Sequence, residues 1–320
     1  MKVLVTGATG FVGLHVVQTL LSAGHEVHAL VRKASAHQGL LRMGVQLVYG
    51  DLAGDISLLP AVEAVIHLAG LIKARRSQEF FEVNEQGTRR LVEALSGNPP
   101  GRFIYVSSIA ARGPNVDGTS LAAKGPVSNY GMSKRAGERV ALEGLKSASV
   151  VIVRPPIVYG PGDKETLTIF RLLKRGFFPV IGQGQMRTSF IHVHDLANSL
   201  MVAATGVEAI VEPLYPDDGA AGHTVKNLID CGAAIFSRRV RELRVPLVVL
   251  KLLCGCSEYF AKILKRAPML SRGKFLEMRE PYWFCENTDL LTFYKNLPPS
   301  ITLQDGFAST AKWYAEQGWL

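Results

Sequence analysis

Short apolar runs recur through the first half of the chain, separated by longer segments with the periodicity of a helix. Six runs are predicted to be strands: Val3–Thr6, Val27–Val31, Gln46–Tyr49, Ala64–Leu68, Phe103–Val106 and Val150–Arg154. Several are rich in Val and Ile without alternating polar positions, which is typical of strands buried on both faces. Helix-period segments lie between most of them, among them Gly13–Ala23, Glu82–Leu95 and Tyr130–Leu145. This alternation predicts a parallel sheet with right-handed crossovers, an α/β fold.

The pattern becomes less regular after Gly160-Pro161-Gly162. The sequence there predicts, in order, a helix over 164–175, a Gly-rich turn over 182–184, a strand over 188–192 and a helix over 195–204. From Glu212 onward the chain is predicted to be helical and basic, interrupted by prolines. We therefore expect a doubly wound sheet domain from residues 1–163 and 188–211. A smaller, mainly helical lobe from 164–187 and 212–320 would complete a cleft for a small-molecule substrate.

The composition excludes a disordered chain and a disulfide scaffold. Of 320 residues, 48% are hydrophobic and 20% are charged, which is enough apolar surface for a substantial core. The four cysteines are few and late in the chain, so we expect reduced thiols in a cytoplasmic protein. The first apolar run ends at Gly7, so we expect no signal peptide. No stretch reaches the ~18–20 apolar residues of a membrane span.

The positive charge is concentrated in the last third of the chain. The net charge is +9, and the segment from Lys226 to Glu280 contains 12 Lys/Arg against five Asp/Glu. This segment is interpreted as a solvated basic face, with an anionic substrate or an anionic membrane surface as alternatives. Nucleic acid is not expected, because no basic motif with interleaved aromatic residues accompanies the charge.

A glycine-rich turn follows the first predicted strand and opens the first helix. Glycines at 7, 10 and 13 give the spacing G-x-x-G-x-x-G. Gly7 permits a tight turn, Gly10 lets the backbone approach a pyrophosphate, and Gly13 lets the helix pack against the strand. The helix N-terminus then offers free N–H groups to the phosphates. The sheet domain is therefore predicted to be a Rossmann-type dinucleotide-binding domain.

The end of the second strand favours NADP(H) over NAD(H). NAD-preferring sites place an acidic residue there to bind the ribose 2′-hydroxyl, whereas this chain has Arg32 and Lys33, which suit a 2′-phosphate. NAD(H) stays open as an alternative, because both cations could be solvated loop residues. Two further contacts with the cofactor are predicted: Asp51 and Leu52 beside the adenine, and Leu68-Ala69-Gly70 beside the ribose.

A tyrosine and a lysine at a spacing of four are candidates for proton transfer. Tyr130 and Lys134 begin a helical segment and share one of its faces, and Ser107-Ser108 ends the fifth strand upstream. Hydride transfer at a carbonyl carbon requires a proton to move at the oxygen. A tyrosine can move it if a nearby ammonium, together with an oxidised nicotinamide, stabilises the phenolate and lowers its pKa. A serine hydroxyl can hold the substrate oxygen in line.

These motifs together resemble the extended short-chain dehydrogenase/reductases, the group of NAD-dependent epimerase/dehydratase-like proteins. The resemblance extends to Val83-Asn84, to the stretch from Arg154 to Gly162, and to Ile191-His192-Val193-His194-Asp195. It implies that Ser108 rather than Ser107 is the catalytic serine and that Asn84 supports the site. It also implies a homodimer paired through a four-helix bundle of 82–95 and 130–145, with apolar contacts from Val83, Leu91, Val92, Val140 and Leu142. Further cofactor contacts are implied at these positions: Thr9, Phe11, Val12, Pro155 and Ile157.

Departures from the family pattern narrow the expected substrate. The family's dehydratases carry Thr-Asp-Glu where this chain has Ser107-Ser108-Ile109, so dehydration is set aside. Nucleotide-sugar epimerases commonly have Asn where Ile157 stands. The run from Arg154 to Gly162 is more similar to hydroxysteroid dehydrogenase and dihydroflavonol reductase relatives. We expect an oxidoreductase acting on a fairly apolar alcohol or ketone. An epimerase and a non-catalytic NADPH-binding assembly or sensor protein remain alternatives.

Two other features bear on the substrate lobe. Val245–Cys256 is apolar on nearly all sides, apart from Lys251, and basic residues flank it. We expect it to wall an apolar substrate pocket, with a helix buried inside the lobe or a segment resting on an anionic membrane as alternatives. His192 and His194 share a strand face but lack a third ligand at metal-like spacing, so we expect no metal.

Overall fold

Six parallel strands form the central sheet. A computed structural model describes residues 1–56, 59–206, 210–285, 297 and 300–320. The strand order is β3-β2-β1-β4-β5-β6, and every neighbouring pair is parallel. The strands are β1 (Lys2–Thr6), β2 (Glu26–Val31), β3 (Gln46–Tyr49), β4 (Ala64–His67), β5 (Arg102–Val106) and β6 (Ser149–Val153). All six correspond to the predicted runs, and the predicted Rossmann-type fold is confirmed. The strand order reverses between β1 and β4, where ligands bind in such sheets.

Helices cover both faces of this sheet. In chain order, the helices up to residue 205 are α1 (Phe11–Ser22), α2 (Gln38–Arg42), α3 (Ser77–Phe81), α4 (Gly87–Leu95), α5 (Ile109–Arg112), α6 (Asn129–Gly144), α7 (Leu167–Arg175) and α8 (Val193–Thr205), of which α7 packs away from the central sheet, against β8. A π-helical turn, Glu82–Gln86, joins α3 to α4. One buried cluster includes Val16 of α1 and Leu200 of α8, and a second includes Leu91 of α4 and Val140 of α6. The near-continuous apolar strands thus have a core on each face.

The remaining elements form a less regular region. They are β7 (Ile157–Tyr159), β8 (Phe177–Ile181), β9 (Arg187–Thr188), β10 (Phe190–His192), β11 (His223–Thr224), β12 (Arg241–Val245) and β13 (Tyr282–Trp283), with α9 (Val225–Phe236), α10 (Leu247–Ile263), α11 (Arg272–Met278) and α12 (Leu303–Glu316). The single strand predicted over 188–192 is wrong. It divides at Ser189, because β9 pairs with β11 and β13 whereas β10 pairs with β7. The domain boundaries stay a prediction.

Helix α10 contains the apolar segment of the substrate lobe, and it lies largely on the surface. Leu250 and Cys254 are buried, whereas Val248 and Leu252 are 70% and 64% exposed. The interpretation of this segment as a helix buried within the lobe is therefore wrong. Its outward-facing residues are exposed to solvent, and the pocket-wall hypothesis for this segment stays a prediction. Among the described residues, no helix is both long and apolar enough to cross a membrane.

The helices expected to pair two subunits have already buried most of their apolar residues. Leu91, Val92 and Val140, predicted as dimer contacts, lie in the subunit's own core. That assignment is wrong, because α4 and α6 pack against each other and against the sheet. Leu142 is 51% exposed and Val83 is half-buried, so these two remain available on the outer face. The homodimer itself stays a prediction.

Candidate active site

The glycine turn between β1 and α1 is shaped by close backbone contacts. Gly7 has φ +74°, and a Cβ there would lie 2.8 Å from the Ala69 nitrogen after β4. A Cβ on Gly13 would lie 2.1 Å from the Gly7 carbonyl oxygen, so only glycine allows α1 to begin so close to the turn. Thr9 and Gly10 are exposed above it, whereas Phe11 and Val12 are half-buried at the first turn of α1.

The N-terminus of α1 is open to a ligand. Gly10 is the N-cap residue, no side chain caps the helix, and its first turn carries no acidic residue. The backbone N–H groups there therefore face the turn with the partial positive charge of a helix N-terminus. Arg32 and Lys33 follow β2, and both are exposed. Neither has an ion-pair partner within the part of the chain that the structure describes.

The segments that follow β3 and β4 lie at the carboxyl edge of the sheet, as the glycine turn after β1 does. Asp51 is half-buried and its carboxylate accepts a hydrogen bond from the Ala53 N–H, while the Leu52 side chain is buried. After β4, the Leu68 N–H donates to the Thr6 carbonyl, and the Ala69 N–H donates to the Thr6 hydroxyl oxygen. The backbone after β4 is thereby held against the glycine turn.

Gly70 lies beside two of the predicted catalytic residues. A Cβ at Gly70 would be 3.1 Å from Asn84 Oδ1 and 3.4 Å from Lys134 Nζ. Asn84 is buried in the π-helical turn, where its amide binds both the N–H and the carbonyl of Leu71 and donates to the Ser133 hydroxyl. π-Helical turns of this kind are frequent at functional sites. The turn aims the Asn84 amide at the segment after β4.

Lys134 is buried with its ammonium at the end of β5. Nζ donates a 2.7 Å hydrogen bond to the Val106 carbonyl and lies 4.6 Å from the centre of the Tyr105 ring. Burial lowers the pKa of Lys134 to about 8, although Glu138 one turn later acts to raise it. The ammonium is thus a cation at neutral pH that loses its proton only slightly above neutrality.

Tyr130 and Ser108 meet across the cleft edge. Ser108 is the N-cap residue of α5, two residues beyond the end of β5, and Ser128 caps α6 two residues before Tyr130. Burial raises the pKa of Tyr130 to about 12, and a side-chain hydrogen bond with Ser108 opposes this shift. The lowering of this pKa by Lys134 together with an oxidised nicotinamide stays a prediction, and in the free protein desolvation has the largest effect. Tyr130 therefore carries its proton at neutral pH.

Ser107, the neighbouring serine, is occupied elsewhere. Its hydroxyl donates a 2.5 Å hydrogen bond to Glu138, and it is 5% exposed. Glu138 also accepts two hydrogen bonds from the Arg154 guanidinium, at 2.8 and 2.6 Å. Sequence reasoning missed the role of Glu138, although its position four residues after Lys134 places both on one helix face.

A second buried group was also missed. His67, at the end of β4, contacts the Thr6 hydroxyl through Nδ1 at 2.6 Å and the Thr88 hydroxyl through Nε2 at 3.1 Å. Thr88 in turn donates to the Asn84 carbonyl. Burial lowers the pKa of His67 to about 3, and the Lys134 charge acts in the same direction. The neutral imidazole connects the strand under the glycine turn to the Asn84 segment.

The last two predicted contacts lie on the connection after β6. Pro155 is buried and its carbonyl accepts from the Ile109 N–H, beside Ser108. Ile157 is 38% exposed at the start of β7. Across the cleft, Glu277 of α11 accepts a 2.6 Å hydrogen bond from the Ser128 hydroxyl. The substrate lobe therefore touches the α6 end that carries Tyr130.

Comparison with known proteins agrees with this geometry. The NAD dependent epimerase/dehydratase family matches residues 3–214. The chain belongs to this family. It is 34% identical to a ceramide reductase of Caulobacter vibrioides over 99% of this chain and 96% of that protein. A UDP-glucose 4-epimerase of Vibrio cholerae is 28% identical over 97% and 94% of the two chains. The solved structure of MoeE5 with UDP-glucuronic acid and NAD superposes with a TM-score of 0.74, at 25% identity, covering 99% of this chain and 100% of that one.

The resemblance to extended short-chain dehydrogenase/reductases is thus confirmed, and this family member is an enzyme of that type. The observed turn fits a dinucleotide. A Cβ added at Gly7 or Gly13 would clash with the backbone, Gly10 is exposed, and the N-terminus of α1 is uncapped. The backbone of 7–13 would hold the pyrophosphate of an NAD-type cofactor. The segments after β3 and β4 would flank its adenosine and ribose.

Proposed function

We propose that this enzyme is an NADP(H)-dependent reductase that converts a ketone on an apolar, lipid-like molecule to an alcohol. The observation that carries this proposal is the Ser108–Tyr130 pair beside the buried Lys134 ammonium at the end of β5. Only β4 separates β5 from β1, the strand that leads into the glycine turn. The long alignment with a ceramide reductase supports a long-chain amide lipid as the substrate class. The exposed Arg32 and Lys33 support a 2′-phosphate on the cofactor.

The chain's own residues would manage the proton. Bound at the turn, the nicotinamide cofactor supplies the hydride. The Tyr130 hydroxyl, protonated at neutral pH, donates its proton to the ketone oxygen, and the Ser108 hydroxyl holds that oxygen in line. Lys134 stabilises the resulting phenolate by its charge, and the Asn84 amide positions the backbone after β4. Reduction is therefore expected to weaken above about pH 8, where Lys134 loses its proton.

A kinetic comparison of variants tests this proposal. Tyr130→Phe should lower ketone reduction by roughly 10²–10⁴-fold while leaving NADPH affinity nearly unchanged, because only the proton donor is removed. Lys134→Ala should weaken both turnover and cofactor binding, since its ammonium lies beside Gly70. The exposed Tyr259→Phe is the matched control. Activity of Tyr130→Phe close to that of the wild type would show that Tyr130 is not the proton donor.

A nucleotide-sugar epimerase is the second candidate. The 28% identity to a UDP-glucose 4-epimerase over nearly both full chains favours it, as does the superposition on MoeE5. The two functions differ in their use of cofactor, because a reductase consumes NADPH with each turnover and an epimerase consumes none. Incubation with long-chain keto-amides and, separately, with UDP-glucose distinguishes them. Sugar interconversion without NADPH consumption, and no reaction with the keto-amide, would favour the epimerase.

A further inference from the structure

Helix α10 presents an apolar face to the outside of the substrate lobe. Eight of its side chains, or of those just after it, are large, apolar and at least 43% exposed: Val248, Val249, Leu252, Leu253, Tyr259, Phe260, Ile263 and Leu264. Its opposite side is buried through Leu250, Cys254 and Ala261. At 3.6 residues per turn, the exposed residues form one continuous stripe, with Val249, Cys256 and Ile263 near its middle. An exposed apolar stripe of this extent marks an interaction surface.

Basic side chains border this stripe. Lys251 and Lys262 are eleven residues apart, which places both along one edge of the helix, and both are exposed. From Arg244 to Arg272 the chain has six Lys/Arg and one acidic residue, Glu258. Glu258 is already paired, because its carboxylate accepts from the Arg272 N–H and lies 3.5 Å from Arg272 Nε. The edge of the stripe that carries Lys251 and Lys262 is thus positive.

We propose that the exposed face of α10 is a docking surface for an anionic membrane. An apolar stripe with lysines at its edge matches the interface of a bilayer, where the apolar side chains enter the acyl boundary and the cations meet lipid phosphates. A second copy of the chain fits less well, because two such faces would bring like charges together. Since Leu250, Cys254 and Ala261 anchor the helix to the protein, α10 would lie in the plane of the membrane.

The surface is connected to the cleft by direct contacts. The Ser257 hydroxyl of α10 accepts from the Leu270 N–H, just before α11 begins. Glu277 at the other end of α11 accepts from Ser128, the cap of the helix that carries Tyr130. Docking through α10 would therefore place the membrane beside the substrate lobe. The proposal stands on this surface alone and goes beyond the proposed reductase activity.

Vesicle sedimentation tests the surface without any enzymatic readout. The full-length protein should sediment with vesicles of phosphatidylglycerol and phosphatidylcholine, bind pure phosphatidylcholine weakly, and be released by salt. Lys251→Gln with Lys262→Gln should weaken binding by roughly fivefold per charge, hence about twenty-five-fold. Leu252→Gln with Ile263→Gln should weaken it at least tenfold. The matched controls are Lys146→Gln with Lys312→Gln, and Leu121→Gln, all exposed and outside α10.

A fluorescent label reports the location directly. Cys256 is exposed on the apolar stripe, so in a Cys231→Ala background it can carry an environment-sensitive dye. Its emission should shift to the blue when anionic vesicles are added, and not with protein concentration in their absence. Three results would overturn the proposal: no sedimentation with anionic vesicles, equal binding by the α10 and control variants, or a shift caused by self-association alone.

Discussion

Glu138 should control both the stability of the protein and the charge of Lys134. The substitution Glu138→Gln tests this, because it removes the charge that pairs with Arg154. The carboxylate is 4% exposed and accepts three hydrogen bonds, one from Ser107 and two from Arg154. Glutamine keeps the size and one acceptor oxygen but removes the negative charge. The Arg154 guanidinium would keep its Tyr215 contact and lose its counter-ion.

The expected loss of unfolding free energy follows from the burial of the Glu138–Arg154 ion pair. Both side chains are at least 85% buried, so removing one partner leaves a charge with little access to water. Such a change costs about 3–5 kcal/mol of unfolding free energy. It should lower the denaturation midpoint by roughly 1 M urea or more. Because the Glu138 charge raises the pKa of Lys134, its loss should move that pKa further below about 8.

Two measurements check these effects. Urea unfolding followed by tryptophan fluorescence gives the change in stability. The pH profile of kcat/KM for ketone reduction gives the shift in the pKa of Lys134. Lys134 carries its charge below its pKa, so the alkaline limb of the profile should move to lower pH in Glu138→Gln. The control is Glu143→Gln, an exposed carboxylate on the same helix. If both variants unfold together with the wild type and share its alkaline limb, the reasoning is refuted.

Three further predictions concern the cofactor turn and acid stability. Gly13→Ala should weaken NADPH binding at least tenfold, because its Cβ would meet the Gly7 oxygen at 2.1 Å; Gly39→Ala, in open space, is the control in a fluorescence titration. Arg32→Asp should weaken NADPH more than NADH, and equal wild-type affinities for the two would contradict the 2′-phosphate assignment. His67 binds its proton only near pH 3, against 6.5 when unfolded, so stability falls as pH falls through that window. His67→Gln should remove roughly 2.5 kcal/mol of the stability loss between pH 7 and 4.5 in urea titrations, and an unchanged acid limb would contradict the shift.

The sheet could be predicted because its pattern is local. Strands such as β1 and β5 are continuous apolar runs, and their boundaries differ from the predicted ones by one residue. The glycine turn was equally visible, since its spacing directly follows a strand. The division of 188–192 was not visible, because it depends on which distant strands pair with β9 and β10. A sequence shows apolar periodicity, but it does not show which distant strand a segment pairs with, and that pairing decides where a strand ends.

The candidate site was predictable only where its residues touch the cleft. Tyr130 and Lys134 follow a spacing that can be read along one chain, and the family resemblance implies Ser108. The structure places Ser108 against Tyr130 and the Lys134 ammonium at the end of β5. Glu138 and His67 support them from behind through contacts with distant residues, such as Arg154 and Thr6. Nothing in their own neighbourhood distinguishes such residues from surface glutamates or core histidines.

Burial is the property that sequence reasoning misjudged in both directions. Glu138 is charged yet buried, because Arg154 and Ser107 satisfy its oxygens, and a buried carboxylate without them would be prohibitively costly. Leu252 and Phe260 are apolar yet exposed, because only one side of α10 meets the protein. A buried charge requires a partner of opposite charge or a hydrogen-bond partner within the subunit. An exposed apolar stripe indicates a binding partner outside the subunit. By this reasoning α10 differs from α4 and α6, where Leu91, Val92 and Val140 are buried within the subunit, and it is the surface from which a partner should be sought first.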